Sequence, residues 1–176
     1  AAALFDGGKR KFDNSHGYGA SPTQSEKAVI VLVDHRGPSY LLALSKKDGK
    51  ELWRTERKSR PSWSSPQVTK VGGKEQVVVS SSGTVDGYDA ETGKLLWSHG
   101  GLSGNGIPSV TVQGEMVYVG AGPAQREKDI EATMASNCCL RIVPGSAAGY
   151  EVVWKAKKAA CHYVSPLVHR GHAYYL

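Results

Sequence analysis

Cysteine, histidine and clustered basic residues are the side chains here whose types and spacing could do chemistry. Cys138 and Cys139 are adjacent, and Cys161 stands apart. On a regular strand neighbouring side chains point to opposite faces, so a Cys138–Cys139 bond needs a distorted backbone. Cys161 follows the neighbouring strand on the same face, so one of the pair could bridge to it instead. Three partly buried thiols acting as small core residues are the third reading. The histidines, His16, His35, His99, His162, His169 and His172, show no metal-ligand spacing. His169 and His172 are three apart, and on a strand they face opposite sides. There is no Cys-x-x-Cys-His haem site, Gly-x-Ser-x-Gly elbow or Walker loop.

The basic residues gather in three segments. Arg54, Arg57, Lys58, Arg60 and Trp63 form the first. Ser98 to Ile107 is glycine-rich and holds His99 and Asn105. The third carries Lys155, Lys157, Lys158, Cys161, His162 and Tyr163. A cationic rim with aromatic residues suits an anionic ligand or an acidic partner. The competing reading is a set of solvated loop charges that keep the surface soluble.

The elements that must position these residues are repeated. Asp48-Gly49-Lys50-Glu51-Leu52-Trp53 returns as Thr92-Gly93-Lys94-Leu95-Leu96-Trp97. Pro22 to Trp53 and Pro66 to Trp97 both span 31 positions. Trp53 to Pro66, Trp97 to Pro108 and Trp154 to Pro166 span 13, 11 and 12 positions. Pro108 to Trp154 spans 46, which calls for a 15-residue insertion near 121–137, where a short helix could form.

Within each repeat the sequence reads as strands. Val29 to Val33, Gln76 to Ser80 and Glu115 to Val119 are β-branched runs bounded by turn residues. Tyr40 to Leu44, Thr84 to Tyr88 and Cys138 to Val143 follow as partners. The Asp-Gly and Thr-Gly steps close hairpins, and the returning strand carries the Trp. The Ser-Pro segment adds a fourth strand. Four strands in about 40 to 45 residues is the size of one β-propeller blade. The expected fold is therefore all-β, a β-propeller of four-stranded antiparallel blades.

The chain divides into a half blade at 1–13, blades at 14–57, 58–101 and 102–158, and the start of another at 159–176. That arrangement implies a piece of a longer propeller, with closure as a four-bladed or dimeric ring as the other option. In this topology the Trp-to-Pro loops and the insertion share one face, and the Gly-containing hairpin turns share the other.

Composition agrees with many short strands: 21 glycines and 8 prolines punctuate 176 residues. A formal net charge of +6 favours acidic partners, and no nucleic-acid motif accompanies it. No apolar run reaches 18 residues, so no transmembrane helix is expected.

Asp-x-x-Thr-Gly-Lys-x-x-Trp, complete from Asp89 to Trp97, resembles the tryptophan-docking signature of the quinoprotein-like (PQQ-like) β-propeller repeat family. The Trp53 repeat has Ser45 and Asp48 in place of the Asp and Thr, and the Trp154 repeat keeps Gly149 and Trp154. The chain is similar to exported repeat proteins of planctomycete-type bacteria. The resemblance implies that Trp53, Trp97 and Trp154, with Asp89, Thr92 and Gly93, dock neighbouring blades. It also implies export, to the periplasm or cell envelope.

Two functions follow from the resemblance. One is a non-catalytic binding or scaffold propeller, with no cofactor and a protein partner, or the rest of its own propeller, at the loop face. The other is a pyrroloquinoline-quinone-dependent dehydrogenase with Ca2+, which needs oxygen ligands and a carboxylate base. Glu56, Glu127, Asp129 and Glu131 are the acids on the loop face that could serve it. Some dehydrogenases of the family also hold a vicinal disulfide against the quinone, which gives Cys138–Cys139 a possible counterpart.

Overall fold

The computed structural model describes residues 19–104, 106–122 and 130–176. The half blade expected at 1–13, together with His16, Asn105, Glu127 and Asp129, lies outside the described residues. Twelve strands form three antiparallel sheets of four, each in sequential order. The first sheet is β1 (Thr23–Gln24), β2 (Ala28–Val33), β3 (Ser39–Ser45) and β4 (Glu51–Arg57). The second is β5 (Gln67–Val71), β6 (Lys74–Ser81), β7 (Thr84–Asp89) and β8 (Leu95–Gly100). The third is β9 (Thr111–Gln113), β10 (Met116–Val119), β11 (Cys138–Ile142) and β12 (Tyr150–Lys155). A hairpin, β13 (Leu167–His169) and β14 (His172–Tyr174), follows. The one helix among the described residues, α1 (Ile130–Ser136), lies in the β10–β11 connection, inside the segment read as an insertion.

These are β-propeller blades. The middle strands of the second blade, β6 and β7, are buried on both faces because a blade covers each side. Val77, Val79, Ile30, Leu41 and Tyr88 pack between the first and second blades. Val78, Val85, Val117, Leu140 and Ile142 pack between the second and third. The innermost strands approach one another, β1 to β5 and β5 to β9.

Each blade carries a bulge at one place. The pairing slips after Ala43↔Trp53, Gly87↔Trp97 and Cys139↔Trp154. The extra residue is the one before the Trp: Leu52, Leu96 or Val153. A bulge bends and twists its strand. Here it leaves those aliphatic residues 41–51% exposed while the Trp turns inward. The residue opposite each Trp is small for a steric reason. A Cβ on Gly87 would stand 2.1 Å from the Trp97 ring.

The hairpin turns repeat the same chemistry with different residues. Asp89 Oδ1 accepts the Glu91 N–H at 3.0 Å and the Thr92 N–H at 2.8 Å. Ser45, in the equivalent place, accepts the Lys47 N–H at 3.2 Å. Gly49 and Gly93 then take positive φ, +72° and +73°, and each donates its N–H back to residue 45 or 89 at 2.9 Å. Burial raises the Asp89 pKa, and the donors from Thr92 and Glu91 outweigh it, so the carboxyl titrates below the usual range.

At the inner edge the serines, not the prolines, mark the repeat. Ser21 N–H donates to Ser65 Oγ (2.9 Å), Ser65 N–H to Ser109 Oγ (2.8 Å) and Ser109 N–H to Ser165 Oγ (3.1 Å). These steps span 44, 44 and 56 residues. The third repeat reads Pro108-Ser109 rather than Ser-Pro, so counting from proline misplaces its start by two. The serine steps make that repeat longer than the others by 12 residues (56 less 44).

Candidate functional site

Strand alternation sorts the side chains of β4. Trp53, Thr55 and Arg57 point towards the second blade, and Arg54 points away. The Trp53 indole N–H donates to the Ala90 carbonyl at 3.1 Å, and its ring lies over Gly93, where a Cβ would come within 2.5 Å. Thr55 Oγ1 donates to the Gly93 carbonyl at 2.6 Å. In the next blade Trp97 packs against Gly149 and Tyr150, with ring centroids 5.6 Å apart for the aromatic pair. Trp97 gives its N–H to Gln76 of its own blade at 2.9 Å. Trp154 stands 6.0 Å from the Tyr175 ring and 6.4 Å from Tyr118.

Arg57 was expected on the open rim, and the structure puts it in the wall instead. Its side chain is 1% exposed. The guanidinium donates to Asp34 at 2.9 and 3.2 Å, to Asp86 at 3.2 Å, to Ser81 at 2.8 Å, and to the Tyr88 hydroxyl. Asp86 is further held by Ser98 Oγ at 2.6 Å and Thr84 Oγ1 at 3.1 Å. The result is a buried charge cluster that joins the first two blades. Burial pushes the Tyr88 hydroxyl up to about 12, partly offset by Arg57, so it stays a neutral partner. Sequence reading missed Asp34, Asp86, Ser81 and Tyr88. The available signal was Arg57 at an even offset from Trp53.

Two more arginines leave the rim. Arg54, on the far face of β4, stacks 4.3 Å over the Tyr40 ring and pairs with Glu51 at 3.0 Å. Arg60 folds back to Thr84, with Asp86 at 3.8 Å. Delocalised, weakly hydrated guanidinium groups are suited to such internal work.

The lysines remain outside. Lys58, Lys155, Lys157 and Lys158 are exposed, as is His162. Trp63 is half-buried, with its ring against Gly19, where a Cβ would sit 3.0 Å away. The Trp63 backbone N–H donates to the Gly106 carbonyl at 2.9 Å, tying the first long loop to the second. The carboxylates of this face are unevenly placed: Asp34 and Asp86 are buried with Arg57, while Glu56 and Glu131 are exposed. A groove of about 540 Å³ runs between Lys58, Arg60, Ser59, Thr84 and Ser98.

The sulfur chemistry is quiet. Cys138, Cys139 and Cys161 are buried free thiols, so the structure holds neither of the disulfides considered. Cys138 Sγ lies 3.7 Å from His99 Nε2, and Cys139 donates to the Leu140 carbonyl at 3.8 Å. Cys161 is seated beneath Gly120. Burial pushes these thiols up, Cys138 to about 12 and the other two to about 11, which keeps them protonated and unreactive. His99, expected in a loop, is on β8. It is 8% exposed, its Nδ1 lies 3.2 Å from the Tyr150 hydroxyl, and burial lowers its pKa.

The donor set for a calcium-held quinone does not converge among the described residues. Asp34 and Asp86 are taken up by Arg57, and Glu56 and Glu131 sit on β4 and α1. No group of three or more His, Cys, Asp or Glu side chains could hold a metal ion among the described residues. Glu127 and Asp129, the other two acids named for it, lie outside the described residues.

No helix among the described residues is long and apolar enough to cross a membrane. No curated protein matches the chain. A family model does: that of the PQQ-like repeats, described as outer membrane protein assembly factor BamB, matches residues 10–175. With repeated Trp-bearing four-stranded blades across that span, the chain belongs to this family of β-propellers.

Proposed function

We propose that the chain is a binding module of an exported, envelope-associated protein, and that its long-loop face docks an acidic surface of a protein partner. One observation carries this reading. On that face Arg57 and Arg60 are taken up by Asp34 and Asp86 inside the wall, whereas Lys58, Lys157 and Lys158 stand exposed. None of the three is ion-paired among the described residues. The opposite face is mixed, with Lys27 on Glu91 at 2.8 Å and Lys50 on Asp48 at 3.4 Å. A one-sided positive field steers and orients an acidic partner. The family name is that of an outer-membrane assembly factor, which supports a role in binding and a place in the envelope.

The test is a binding titration by fluorescence anisotropy with labelled poly-glutamate. The natural chain should bind at low salt and lose most of its affinity by about 0.5 M salt, as charge screening requires. Lys58→Glu/Lys157→Glu/Lys158→Glu should abolish binding. Lys46→Glu/Lys47→Glu/Lys50→Glu, on the opposite face, should leave it nearly intact. Equal losses in the two triple variants would overturn the assignment of the face.

A further inference from the structure

The junction of the second and third blades departs from the first in two ways, and a cleft opens there on the hairpin-turn face. The first difference is Gln76. It stands opposite Asp89, where the other blades pair Ala28 with Ser45 and Met116 with Arg141. Trp53 reaches across its junction to the Ala90 carbonyl, whereas Trp97 gives its indole N–H to Gln76 Oε1 at 2.9 Å, within its own blade. The second difference is the third blade's hairpin turn. From Asp89 to Gly93 the chain takes 4 steps, and from Arg141 to Gly149, the glycine against Trp97, it takes 8. The longer turn meets the β5–β6 turn: a Cβ on Gly72 would stand 3.9 Å from the Pro144 ring.

The cleft encloses about 360 Å³, and all of its lining comes from these two blades, each of which has its four strands. Its apolar part is Val71 and Trp97, both buried, with Leu96 43% exposed. Gln76 and Asp89 also line it. Gln76 is 6% exposed. An indole only donates, so Oε1 faces Trp97 and the amide NH2 is turned the other way. That NH2 has no hydrogen-bond acceptor among the described residues. A buried donor left unmet costs free energy, so the place favours an acceptor brought by a ligand. Asp89 stands beside Gln76 across the strand pair. Its Oδ1 takes the Glu91 and Thr92 donors, and its Oδ2 accepts from no group among the described residues.

We infer that this cleft binds an uncharged, extended peptide segment of a protein partner. A carbonyl of the segment accepts the Gln76 amide N–H, a nearby backbone N–H meets Asp89, and an apolar side chain rests against Trp97, Val71 and Leu96. The charges decide the class. Asp89 and Glu75 outnumber Lys74 around the cleft, which turns away a carboxylate. A lysine or arginine side chain has no acceptor to offer Gln76. A peptide group supplies an acceptor and a donor together. The site lies on the face opposite the exposed lysines and stands independently of the acidic-partner reading.

An NMR titration of the 15N-labelled natural chain tests it with three capped tetrapeptides: Ser-Leu-Phe-Ser, Glu-Leu-Phe-Glu and Ser-Ala-Ala-Ser. Ser-Leu-Phe-Ser should shift the Trp97 indole and Gln76 side-chain N–H signals. It should bind roughly tenfold more tightly than either of the others. Gln76→Glu keeps an acceptor for Trp97 and removes the donor, and should weaken binding roughly tenfold. Leu96→Ser, at an exposed position, should weaken it roughly threefold, with thermal unfolding unchanged. Tighter binding of Glu-Leu-Phe-Glu would make the cleft an anion site and overturn the inference. Unchanged affinity in Leu96→Ser and Gln76→Glu, or no shift of either signal at millimolar peptide, would also overturn it. So would a Gln76 side-chain amide that exchanges slowly with water before any peptide is added, because the protein's own chain would then fill the cleft.

Discussion

Arg57 shows how much one side chain's surroundings decide its role. It lies three residues from Arg54 and three from Arg60, in a segment that reads as a cationic rim. Only Arg57 is wholly enclosed, with Asp34 and Asp86 as partners. Removing one partner of a buried ionic cluster leaves the others desolvated and uncompensated. Arg57→Ala should therefore lower the unfolding free energy by about 3–5 kcal/mol. Lys58→Ala, one residue on and exposed, should change it by no more than about 0.5 kcal/mol. Urea unfolding of both variants checks the contrast, and equal effects would mean the cluster does not hold the blades together. At this scale the sequence showed that charges gather and not which of them are spent internally. Pairing depended on Asp34 and Asp86, which are 52 residues apart and meet only when two blades stack.

The junctions between blades use different chemistry in equivalent places. The first joins blades through the charged Arg57 cluster. The second has His99, Tyr150 and Cys138, with Lys155 as the nearby charge and, among the described residues, no carboxylate against the ring. Burial, helped by Lys155, holds the folded His99 pKa below its usual 6.5. The unfolded chain then binds a proton that the folded chain refuses, so stability falls as pH drops below about 6.5 towards the folded value. Above that pH this residue adds no slope. His99→Gln should flatten the dependence of denaturant midpoint on pH between about 5 and 7, the range set by the ordinary histidine pKa. A slope unchanged in the variant would assign the acid sensitivity elsewhere. The elements themselves were legible because valine runs, Gly turns and a fixed Trp are local signals. The bulge before each Trp was not, since it appears in the pairing of two strands and not in either alone.

Across the molecule, the four-stranded unit could be read from spacing. The inner serine ladder could not, because Pro108-Ser109 inverts the order that the other repeats use. Each rung is an ordinary hydrogen bond, so Ser65→Ala should cost about 0.5–1.5 kcal/mol. Ser109→Ala should cost about the same, and the two losses should nearly add if each rung is independent, within about 0.5 kcal/mol. A double variant far weaker than that sum would show the ladder acting as one unit. The ladder also has a direction. Ser21, Trp53, Thr55 and Arg57 all donate to groups in the blade that follows, as Ser65, Thr69 and Ser109 do in their turn. On a ribosome the amino-terminal part of a chain emerges first, and here it emerges with its donors unmet. A blade completed in sequence is thus not yet completed in space: the closing strand's Trp53 and Thr55 wait for Ala90 and Gly93, 37 and 38 residues further on. Synthesis and folding of this propeller are out of step by one blade, and the newest blade on the nascent chain is always the one open to solvent.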